Sequence, residues 1–166
     1  MNLPDKNYDY FTLTVDTLGQ ASKNTFSVYL NEPLKNVVEA KLLSTHVHTS
    51  DAVQHLYVDI DELKTMFSER ASSVYNGANE ISRVRGAFGS IVTSSEHSGS
   101  EQLILFKERD HYEITHEYPN PLKRVARLSV SLLDQTGNTI PNPAQATDEN
   151  FLVMRFKCMS PSVILP

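Results

Sequence analysis

The segment from Leu122 to Asn138 limits the possible folds of this chain more than any other. Leu122, Ala126, Leu128, Val130 and Leu132 fall on one parity, and Lys123, Arg127, Ser129 and Ser131 on the other. Successive side chains of a strand point to opposite faces, so the pattern requires a sheet with one face in a core and the other in water. Gly137 and Asn138 then supply the residue types of a turn.

Shorter stretches repeat the pattern. Phe11, Leu13 and Val15 predict a strand near 10–17, and Phe26, Val28 and Leu30 one near 25–31 that stops at Pro33, because proline cannot donate to a ladder. From Val37 to His48 the apolar parity changes, which predicts a bulge near Leu42 and Leu43. Leu56, Val58 and Ile60 form a clear strand, with His55, Tyr57, Asp59 and Asp61 facing out. Leu63, Met66 and Phe67 predict a short helix over 61–71 with Asp61 as N-cap. Loop composition follows over 72–83 and turn composition over 94–100, the latter between strands expected at 87–93 and 102–106. Tyr112 and Ile114 alternate until Tyr118 to Pro121 forces a break. A polar loop from Gly137 to Asn150 leads to a last strand, with Leu152, Met154, Phe156 and Cys158 inward.

About eight or nine strands without strand–helix alternation are the signature of an antiparallel sandwich. Tryptophan is absent and cysteine single, which weakens the immunoglobulin option. Unequal connections favour an all-β, antiparallel, eight-stranded jelly-roll sandwich. The expected divisions are an N-terminal arm at 1–9, one jelly-roll domain at 10–158 and a C-terminal tail at 159–166.

A chain of 166 residues can bury its core without disulfides or a structural metal. Its net charge of −5 argues against dedicated nucleic-acid binding, which needs a basic excess. No apolar run approaches the ~20 residues of a membrane span, and Met1 to Asp9 has no signal-peptide character. Lone Cys158 and the absence of an Asn-x-Ser/Thr acceptor fit synthesis in a cytoplasm.

Candidate chemistry is sparse. His46 and His48 share a strand face, but a metal needs a third ligand and only Asp51 is near in sequence. Asp59, Asp61 and Glu62 could hold a hard cation, although no glycine-punctuated calcium loop surrounds them. Glu113 and Glu117 are a nominal carboxylate pair of the kind glycosidases use. Cys158 lies on the apolar parity and reads as a core thiol. Gly86 to Ser90 lacks the lysine of a phosphate loop, so its glycines are expected to permit close packing. Arg83, Arg85, Lys123, Arg124, Arg127, Arg155 and Lys157 could gather into a basic stripe. No catalytic, cofactor-binding or metal residue is assigned, and no cofactor is expected.

Three stretches carry a resemblance: Asn24 to Leu34 with Val37 to Leu43, Leu56 to Ile60, and Leu122 to Gly137 with Phe151 to Phe156. Together they resemble the single jelly-roll penton proteins of large double-stranded DNA viruses and virophages. The resemblance implies a non-enzymatic capsid subunit that closes as a homopentamer at an icosahedral vertex. It implies contact with the major capsid protein and other minor capsid proteins, residence in the virion, synthesis in the host cytoplasm and no nucleic-acid contact. Pentons with a receptor-binding insertion are longer, and the largest insert here, Glu62 to Arg83, is small. Two other classes compete. A cupin-like metal enzyme would use His46 and His48, and a carbohydrate- or receptor-binding module would use Tyr8, Tyr10, Tyr29, Tyr57 and Tyr75.

Overall fold

Seven strands run through the computed structural model, which describes residues 7–65, 70–71, 84–93 and 101–160. They are β1 (Tyr8–Asp16), β2 (Thr25–Thr49), β3 (His55–Ile60), β4 (Gly89–Val92), β5 (Gln102–Lys107), β6 (Ile114–Leu133) and β7 (Phe151–Met159). All ladders are antiparallel and belong to one sheet, in the order β1-β7-β2-β6-β3-β4, with β5 also paired to β2. Thus seven strands, not eight, are found among the described residues.

The inward parity read from the sequence holds: Leu56, Val58, Ile60, Leu128, Val130, Leu132, Leu152, Met154 and Phe156 are all buried in one core. Val15 of β1 and Ile91 of β4, from opposite ends of the sheet order, belong to the same core. No helix covers it among the described residues, so the sheet curls and covers its own inner face.

The two expected strands at 25–31 and 37–48 are one strand, because β2 runs through Pro33. Its ladder with β6 shifts register between Tyr29 and Leu34, so Pro33 lies in a bulge where no ladder bond is required. The break expected at Tyr118 to Pro121 is likewise absent, and β6 passes through Pro119 and Pro121. Between Leu122, opposite Val37, and Glu117, opposite Glu39, the ladder again shifts register and leaves both prolines unpaired. Asn36 beside this irregularity takes φ 52°, a left-handed conformation that asparagine tolerates better than most residues. The bulge expected at Leu42 and Leu43 is present: Leu42 pairs with Met154 and Ser44 with Val153, leaving Leu43 over. Burial passes from Ala40 and Leu42 to Thr45, Val47 and Thr49 across it.

Three further expectations are corrected. The helix over 61–71 is a single 3-10 turn at Asp61–Leu63, whose N-cap is Ile60, while Asp61 pairs with Lys64; residues 66–69 lie outside the described set. Tyr57 faces away from the main core but is buried, because Val84, Ala87 and Leu133 pack over it. In β6 the buried residue is Val125 and Ala126 is half-buried, so the inward parity changes before Leu128. The loop expected at 72–83 and the turn at 94–100 fall outside the described residues.

Candidate functional site

The sequence-nominated residues are mostly engaged with one another. His46 and His48 share the outer face of β2, their Nε2 atoms 3.0 Å apart, so one ring donates and the other accepts. Burial lowers the pKa of His46, and the neighbouring His48 lowers it further. Asp148 lies 3.9 Å from Nδ1 of His48, while Asp51 is exposed and accepts from the backbone N–H of Ala52. Among the described residues no group of three or more His, Cys, Asp or Glu side chains converges on a cation position.

The acidic trio divides its attention. Asp59 and Asp61 flank Lys64, at 3.5 and 3.0 Å, and burial raises the pKa of Asp59. Glu62 turns the other way and accepts from Ser129 N, Ser129 Oγ and Arg127 Nε at 2.6, 2.9 and 3.1 Å. Glu113 accepts from Thr115 and pairs with Lys41, which also holds Glu108. Cys158 is a core thiol, pushed up to about 11 by burial and by the charge of Asp9. Gly86 has φ 71°, and a Cβ there would sit 2.5 Å from the carbonyl oxygen of Thr65, so the glycine serves a close backbone approach.

The basic residues do not form one stripe. β6 and β7 lie on either side of β2, with Arg124 opposite Lys35 and Arg155 opposite Lys41. Arg127 is committed to Glu62, and Arg83 lies outside the described residues. Of the tyrosines, Tyr10 and Tyr29 are exposed, Tyr8 is half-buried, Tyr57 is buried and Tyr75 lies outside the described residues.

Sequence reading missed two features. Lys23, Asn24 and Asn150, in segments that read as polar loops, are buried. Lys23 pairs with Glu149 at 2.9 Å, while Asn150 donates to Lys23 O and Asn24 Oδ1 and accepts from His48 N. This network ties the β1–β2 loop to the segment that leads into β7; the cluster of short polar residues was its only signal. The second is a cleft of about 390 Å³ on the outer face, lined by Tyr8, Val38, Glu39, Glu117, Tyr118, Pro119 and Lys157. Tyr10, Lys157, Glu39 and Glu117 are consecutive partners across β1, β7, β2 and β6, a line that only the register reveals.

No protein-family model matches the chain. No curated protein matches it in sequence either.

Proposed function

We propose that this chain is a non-enzymatic subunit of an icosahedral viral shell that closes as a cyclic pentamer at the vertex. In this reading the curled sheet is a jelly roll whose long strands serve two facing layers. One layer holds β1, β7, β5 and the C-terminal half of β2; the other holds β3, β4, β6 and the N-terminal half of β2. Along one side of β2, β6 pairs as far as Leu42 and β5 takes over from Ser44, which favours such a division.

The observation that carries the proposal is the inequality of the two flanks. The sheet path ends in β1 on one side and β4 on the other. β1 exposes Tyr10 and Phe11, whereas β4 exposes Val92 beside the exposed Tyr112. A ring is made by a heterologous contact, one flank against a different flank of the next copy, so unlike apolar edges suit closure and identical ones do not. The surrounding major and minor capsid proteins supply further contacts, so a weak pairwise contact in isolation suffices. The particle is then the place of action, and the host cytoplasm the place of synthesis.

Reconstruction of the assembled particle tests the reading. Density for this chain is expected at the fivefold vertices. Density only at quasi-sixfold positions, or none, would defeat the vertex assignment.

A further inference from the structure

We infer that the outer-face cleft between β1, β7, β2 and β6 is a binding site for a neutral, hydroxyl-rich saccharide. Glu39 and Glu117 sit directly opposite each other across the β2–β6 ladder. Like charges in that position destabilise a sheet. Neither carboxylate makes a hydrogen bond or ion pair with any described residue. Glu39 also faces Lys157 across the β2–β7 ladder, yet the Lys157 ammonium lies over the Tyr8 ring, 4.2 Å from its centre, instead of on the carboxylate. Two acceptor groups and a cation are thus left unspent towards each other at one concave place.

The concavity has a structural cause. Both ladders of β2 shift register between Val37 and Glu39, and β6 accommodates Tyr118 to Pro121 opposite the same point. Bulges re-aim side chains and recur beside functional sites. The resulting volume, about 390 Å³, falls within the range of small-ligand clefts.

The lining discriminates among ligand classes. Paired free carboxylates repel phosphates and carboxylates. Lys157 between them and the tyrosines opposes a bare divalent cation. A saccharide ring presents hydroxyl donors for Glu39 and Glu117, hydroxyl acceptors for the Lys157 ammonium that Tyr8 holds in place, and an apolar C–H face for Val38 and Pro119. The inference stands on these groups alone and does not depend on the shell reading.

The test uses the full chain on an array of immobilised neutral oligosaccharides, with saturation-transfer NMR against free hexoses and N-acetylhexosamines at millimolar concentration. Saccharide binding is expected, and Glu39→Gln, Glu117→Gln and Tyr8→Ala should each weaken it at least tenfold. Glu117→Gln should do so without lowering Tm, because it relieves a facing pair of like charges; Tyr29→Ala, exposed elsewhere, should leave binding unchanged. Absence of any saccharide signal in both assays would overturn the inference. So would binding that ignores the glutamate substitutions, binding that strengthens on them as an anionic ligand would, or a calorimetric calcium signal in place of the saccharide one.

Discussion

Glu62 shows how one side chain can fasten a turn to a sheet. Burial disfavours its charge, but hydrogen bonds from Ser129 and Arg127 more than offset this, so its pKa falls below the ordinary value. Hydrogen bonds to charged groups contribute about 1.5–3 kcal/mol, and partial exposure brings this one to about 1–2 kcal/mol. Glu62→Gln should lower urea-denaturation stability by that amount at neutral pH. A depressed carboxylate stabilises fully above its unfolded pKa of about 4.3 and loses that contribution as pH falls through the folded value. The two stability curves should therefore converge in acid. His46 follows a parallel rule. Its folded pKa is lowered, so its contribution is full above about 6.5 and declines as pH falls. Imidazole NMR titration should place the His46 midpoint below that of a free histidine, and His48→Gln should move it upward by removing a neighbouring charge.

At the scale of elements, the one-residue surplus at Leu43 governs which way β2 faces. Beyond it Thr45, Val47 and Thr49 turn inward and His46 and His48 outward. Deleting Leu43 takes out the surplus residue itself, so Ser44, Thr45 and His46 keep Val153, Leu152 and Phe151 as partners and both imidazoles stay on the outer face. The deletion should therefore stay within the range of ordinary substitutions, about 0.5–3 kcal/mol, with soluble expression kept and the denaturation midpoint only modestly lowered. Leu42 and Leu43 announce this bulge in the sequence because two adjacent apolar residues interrupt an alternation. Inward parities at Leu56 to Ile60 and Leu128 to Leu132 were legible for the same reason. The prolines misled, since Pro33, Pro119 and Pro121 are strand-breaking locally, yet here they occupy bulges of strands whose continuity is fixed by distant partners. The Tyr57 cover was hidden for a similar reason, because Val84 and Ala87 reach it only through the tertiary fold. Of the outer-face cleft, Tyr8, Glu117 and Lys157 were noticed singly. Their meeting with Glu39 depends on register across four strands, which periodicity within one strand does not encode.

For the whole molecule, the ladders join segments far apart in sequence, with β1 on β7 and β2 on β6 and β7. Loops must close before such pairings stabilise anything, so refolding should take milliseconds to seconds in stopped-flow measurements. Complete refolding in microseconds would contradict the topology. The β1–β7 ladder has a second consequence, a mechanical one. Tyr8 stands opposite Met159, and Ser160 N–H donates to Asn7 O at 2.8 Å, so residues 7 and 160 leave the sheet side by side. A pull applied between them loads the hydrogen bonds one after another, as a zipper opens. Moving one handle to Asp16, at the other end of β1, loads the same bonds all at once in shear. An optical trap should therefore find the molecule soft along the first axis and several-fold stronger along the second, with no bond changed between the two.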